Sequence, residues 1–145
     1  MTDNTQQIWT DYYARIRRRR IAEAEFISSQ LAADGVTADS VLALDFMHFG
    51  TVENDVRQLS DQLSENYTVN VHLSDDGKTW IADSTTRPYG VDGMIDTQLL
   101  QWVEFMCDVA NSHACVFSTW KLVDTKRNIE WATDHLDIDP ETDVG

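Results

Sequence analysis

Cysteine, proline, glycine-rich loops and spread-out positive charge are all scarce in this chain, and each shortage removes a class of function. Two cysteines, Cys107 and Cys115, are too few for a disulfide framework and form no Cys-x-x-Cys pair. Their surroundings, WVEFMCDVA and ACVF, are apolar, so both read as small buried hydrophobes without redox or metal chemistry. No apolar run approaches the roughly 18 residues that cross a bilayer. The opening MTDNTQQIW lacks the charged and apolar regions of a signal peptide, so a cytoplasmic protein with no membrane partner is expected. His48, His72, His113 and His135 show no HxxxH or HExxH spacing, and neither a metal site nor a cofactor is expected. GxSxG and glycine-rich phosphate loops are also missing. No catalytic residue is nominated, and a non-enzyme is favoured over a small enzyme with a dispersed carboxylate site.

What is present is negative charge. The 145 residues carry a formal charge of −14, although five of the eleven basic side chains, Arg15, Arg17, Arg18, Arg19 and Arg20, sit in one hexapeptide. Residues 21–145 hold 23 acidic and 6 basic side chains, a balance of −17. Such a field repels phosphate backbones and draws in basic protein surfaces, which makes a basic protein the expected partner and argues against direct nucleic-acid binding.

Prolines stand only at Pro88 and Pro140, so long stretches are open to regular structure. Trp9, Tyr13, Ile16, Ala24, Ile27 and Leu31 follow a helical stripe that Arg20 interrupts, predicting one long helix closed at Asp34-Gly35. VLALDFMHF, residues 41–49, reads as a central strand. A helix to about Asn66 follows, with Thr51 as its N-cap and Val52, Val56, Leu59 and Leu63 on its apolar face. Tyr67, Val69, Val71 and Leu73 alternate with Thr68, Asn70, His72 and Ser74, a strand with one wet face. The Asp75-Asp76-Gly77-Lys78 turn leads into a paired strand to Thr86. An amphipathic helix is expected over 93–111 and a last strand over 114–123.

This order predicts an α+β, ferredoxin-like βαββαβ sandwich: a four-stranded antiparallel sheet with two helices on one face, over residues 41–123. The N-terminal arginine-bearing helix occupies 1–40 and an acidic C-terminal tail 124–145. The first and last strands should be central and the two hairpin strands should be edges. The arginine run has three readings: charges paired within the fold to Glu23, Glu25 or the tail, a phosphate or RNA contact, or a contact with an acidic protein surface. The tail reads as a solubilising segment or a lure for a basic groove, with Trp131 anchoring it to the body or to a partner.

Residues 41–123 also resemble the bacterial regulators of ribonuclease E activity, type B (RraB), the ribonuclease E inhibitor family. The likeness rests on DFMHF closing the first strand, LSENYTVNV, GKTWIA with its early tryptophan, and VFSTWKLV with Trp120. The resemblance implies a ferredoxin-like fold, an acidic C-terminal segment, and a small acidic protein that binds a nuclease and restrains it without catalysis. An immunity protein that neutralises a toxin nuclease fits the same charge, offering carboxylates where the enzyme expects phosphates. In either case the partner-binding residues expected on the sheet's open face, its turn and the tail are Asn70, His72, Asp75, Asp76, Asp83, Trp120, Asp137, Asp139 and Glu141.

Overall fold

A computed structural model describes residues 2–87 and 90–133, with side chains from residue 7 onward except at position 96. Helix α1 spans Thr2–Ala33, followed by β1 (Ala43–Gly50), α2 (Glu53–Leu63), β2 (Thr68–Leu73), β3 (Trp80–Thr85), α3 (Asp96–Ser112), β4 (Val116–Asp124) and β5 (Ile129–Ala132). The expected elements form close to their predicted bounds. Helix α2 starts later than expected: its N-cap is Val52, which offers no side-chain bond, so Thr51 does not cap it.

The strands make one five-stranded antiparallel sheet in the order β2-β3-β1-β4-β5, which corrects the four-stranded expectation. The extra strand comes from the segment assigned to the tail. Its pairing with β4 is reinforced by Thr133, whose N–H and hydroxyl both donate to the carbonyl of Trp120, and Trp131 is buried. A second correction concerns β3, expected at an edge. It lies between β2 and β1, so only β2 of the hairpin is an edge, while β4 is interior because β5 covers it.

Strand alternation sends Leu44, Phe46 and His48 of β1, Ala82 of β3, and Val69 and Val71 of β2 to the same side, where they meet Val56, Leu59, Leu99, Val103 and Met106 from the helices. On β4 both Phe117 and Trp120 reach this core, although they are three residues apart. The register explains it: Phe46 pairs with Trp120 and His48 with Phe117, so β4 carries one extra residue opposite Met47. That bulge is why residues 114–123 alternate poorly when read as sequence. Phe46 packs edge-on to Tyr67, Trp102 and Phe117, and Trp102 Nε1 donates to Tyr67 Oη at 3.1 Å.

Helices α1 and α3 end in the same way. In α1 the N–H of Val36 reaches the carbonyl of Leu31 at 2.9 Å and that of Gly35 reaches Ala32 at 3.2 Å. In α3 Cys115 reaches Ala110 at 2.8 Å and Ala114 reaches Asn111 at 3.3 Å. Both are Schellman closures, which place one residue in the left-handed region. Gly35 takes it at φ +83°, as its sequence position predicted, whereas α3 uses Ala114 at φ +55°. A Cβ in that region is costly, so Ala114→Gly should stabilise the fold by about 1 kcal/mol in urea titration. A neutral or destabilised variant would contradict this account.

Candidate functional site

No helix among the described residues packs on the sheet's second face. That face carries Thr68, Asn70 and His72 from β2, Asp83 and Thr85 from β3, Asp45 and Met47 from β1, Lys121 from β4 and Glu130 from β5. These side chains surround a shallow depression of about 670 Å³ whose polar rim includes Asp45, Asn70, Asp83, Arg87, Lys121 and Glu130.

Its charges are largely paired with one another. Thr85 Oγ1 donates to Asp45 Oδ1 at 2.5 Å, and the Arg87 guanidinium spans both Asp45 oxygens at 3.3 Å. Lys121 Nζ lies 2.7 Å from Glu130, which raises the lysine pKa. His72 Nε2 lies 2.5 Å from Asp83 Oδ2, and this bond, more than the charge alone, raises the imidazole pKa. Three carboxylates thus face two permanent cations and one titratable imidazole. The face is close to neutral, and the acidic surplus is displayed elsewhere.

Part of that surplus lies along one side of the molecule. Helix α2 packs over β2 and β3 and exposes Glu53 and Asp61, the turn after it exposes Glu65, and the β2–β3 turn exposes Asp75 and Asp76. The Asp76 carboxylate holds the turn by accepting from Ser74 Oγ at 2.5 Å and from the Lys78 N–H at 3.0 Å, which lowers its pKa. Asp76 is therefore a turn residue as well as a surface charge.

Of the residues expected to meet a partner, Asn70, His72 and Asp83 share the open face, and Asp75 and Asp76 sit at its hairpin end. Trp120 is a correction: it is 2 % exposed and faces the helices, because the β4 bulge turns it inward. Asp137, Asp139 and Glu141 lie outside the described residues. Asp45, Arg87, Lys121 and Glu130 were missed. Asp45 had a signal, as the single charge in an otherwise apolar strand, whereas the Lys121–Glu130 pair needed the unforeseen β5.

Three of the five arginines in the run engage carboxylates of the chain itself, but only Arg20 is buried, and Arg15 and Arg18 are exposed. Arg17 bonds to Asp108 and lies 3.6 Å from Glu104, both on α3. Arg20 is buried, with Nη1 at 2.8 and 2.9 Å from the two Glu23 oxygens and Nε donating to the Phe117 carbonyl at 2.9 Å. Arg19 Nε adds a contact to Glu23 at 3.7 Å, and the Arg15 guanidinium lies 5.8 Å over the Tyr12 ring. Trp131 anchors to the body, its Nε1 donating to Asp34 Oδ2 at 2.8 Å.

No protein-family model matches this chain, and no curated protein matches its sequence. Its chemistry is therefore read from the side chains. Among the described residues there is no group of three or more histidine, cysteine or carboxylate side chains placed to hold a metal, and no helix is long and apolar enough to cross a membrane. Burial pushes the thiols of Cys107 and Cys115 up to about 11, so both stay protonated and poorly nucleophilic near neutrality.

Proposed function

We propose that this protein is a non-enzymatic acidic binder of a basic macromolecule, and that its partner is a nuclease which it restrains, as the resemblance to the regulators of ribonuclease E implies. One observation carries the reading: Arg17, Arg19 and Arg20 are engaged by the chain's own Asp108, Glu104 and Glu23. Three of the five clustered arginines are thus paired within the chain, which weakens the hexapeptide as a phosphate grip against the repulsion that a −14 molecule exerts on nucleic acid. The same field accelerates capture of a basic protein. The strand order β2-β3-β1-β4 also supports a ferredoxin-like description of the core, with β5 as an addition.

A tagged copy expressed in the native host, captured and eluted along a salt gradient, should release a stoichiometric basic nuclease, identified by mass spectrometry. Recovery of no basic partner, or turnover of a substrate by the purified chain, would sink the proposal. Asp75 is the better residue for a kinetic test, because Asp76 holds the turn. Asp75→Lys should slow association about threefold at low salt and leave dissociation within about twofold. The difference should largely vanish near 1 M salt, where the Debye length falls to about 3 Å. An unchanged on-rate at low salt would remove the electrostatic part of the reading.

A further inference from the structure

The two edges of the sheet are built differently. β5 is four residues long and carries Glu130. β2 is six residues long, Thr68-Val69-Asn70-Val71-His72-Leu73, with no carboxylate, lysine, arginine, proline or glycine and no break in its register with β3. Edge strands are normally protected by shortness, charge, proline or a bulge, since their free backbone groups invite another strand. β2 has none of these guards.

The register identifies the free groups. The N–H of Ser74 donates to the carbonyl of Thr79 at 2.8 Å, which makes that pair, and by alternation His72 with Ile81 and Asn70 with Asp83, the bonded pairs. The N–H groups of Val69, Val71 and Leu73, and the carbonyls of Val69 and Val71, therefore point away from β3. No strand among the described residues lies on that side. Leu73, at the end of the strand, is 44 % exposed.

The surroundings of this edge specify what would suit it. Glu65 precedes the strand, Asp75 and Asp76 follow it, and α2 above it exposes Glu53 and Asp61. An uncharged backbone ladder about 20 Å long is thus bracketed by carboxylates at both ends. A second copy of this chain fits badly: antiparallel pairing centred on Val71 would bring each Glu65 against the other copy's Asp75-Asp76 turn, between two bodies that each carry −14. We infer that β2 is a docking edge for an extended, basic segment of the partner protein, which joins the sheet as a sixth strand with lysine or arginine at both its ends. This inference rests on the acidic-binder reading and gives that partner's contact a definite form: backbone pairing supplies the affinity and the flanking carboxylates select the charge.

The probe is a synthetic peptide of about nine residues with lysine and arginine at both ends around alternating valine and threonine, compared with a twin of the same sequence N-methylated on the backbone edge that would face β2. The twin keeps every charge and loses the ladder. The unmethylated peptide should bind the full chain at low salt and slow hydrogen exchange at the Val69, Val71 and Leu73 amides, and the twin should bind about tenfold or more weakly. Val71→Pro, which removes an N–H that the fold does not use, should abolish the difference between the peptides.

Equal binding of the two peptides, or no binding of either, overturns the docking edge, and a nuclease recovered in the capture experiment would still uphold the acidic-binder reading. Discrimination between the peptides without any basic partner in the host supports the edge chemistry and sinks that reading. A concentration-dependent dimer in sedimentation that Val71→Pro dissolves would overturn the basic segment as occupant in favour of a second copy.

Discussion

Arg20→Ala should cost about 3–5 kcal/mol of folding free energy at pH 7 to 8 in urea titration, a large fraction of what a domain of this size holds. The substitution leaves Glu23, which is 1 % exposed, without the guanidinium that contacts both its oxygens, and leaves the Phe117 carbonyl without its donor. Arg19, with its Nε at 3.7 Å, is too distant to replace these bonds. Burial raises the Glu23 pKa, and Arg20 followed by Arg19 opposes the rise. A carboxyl whose folded pKa lies above its unfolded value destabilises the fold when ionised, and that cost is relieved as pH falls through the folded pKa. The penalty of Arg20→Ala should therefore shrink between pH 8 and pH 5. The paired replacement Arg20→Met with Glu23→Leu removes both charges together and should fall within about 1 kcal/mol of the parent or exceed it. A single-variant cost below about 1 kcal/mol would show that the pair does not hold α1 to β4.

The second large effect is acid destabilisation through His48. Its side chain is fully buried between Phe46 and Phe117, with Nε2 at 3.4 Å from the Met106 carbonyl and Nδ1 without a partner among the described residues. Burial first, with a smaller contribution from His113, pushes its pKa down to about 4 against the opposing pull of Met106. In the unfolded chain it takes a proton near 6.5. Between these values the unfolded state binds more protons, so stability is complete above about pH 6.5 and declines by about 3 kcal/mol as pH falls to 4. Glu23 and His72, whose folded pKa values are raised, act in the opposite direction over acid pH, so the net curve alone does not isolate His48. The difference between the parent and His48→Leu does. The variant should lose this acid decline, and parallel stability curves for the two proteins would refute the assignment.

Both predictions depend on residues whose sequence signals were ambiguous. Arg20 appeared as a flaw in an apolar stripe that otherwise runs through Ile16, Ala24, Ile27 and Leu31. In the folded protein it occupies that stripe because Glu23, one helical turn away, and a β4 carbonyl satisfy it. Glu23 at i+3 was legible, but the Phe117 carbonyl, 97 residues away in sequence, was not. His48 was legible as a core position from the apolar strand around it. That one of its nitrogens would lack a partner depended on where α3 crosses β1.

The candidate docking region divides in the same way. Period-two alternation alone placed Asn70 and His72 on a wet face, and Gly77 in the intervening hairpin turn takes the positive φ that such turns require. It could not show that Asp83 would close on His72, or that three ion pairs would leave the open face nearly neutral, because cross-strand register is a long-range property. The expectation that Trp120 faces a partner failed for a related reason: one extra residue in β4 reverses the side of the sheet on which a tryptophan falls.

Local patterning was enough to determine the long first helix and its glycine closure, the two amphipathic helices, the hairpin and the surplus of negative charge, since each follows from neighbours within one or two turns or from composition. Tertiary structure alone decided that the sheet has a fifth strand, that β3 is interior, that three of the five clustered arginines pair with carboxylates of the chain itself, and that no strand among the described residues covers the outer edge of β2. Those features arise from pairings between residues tens of positions apart, whose free energy depends on what the rest of the chain brings alongside and not on the residues that carry them.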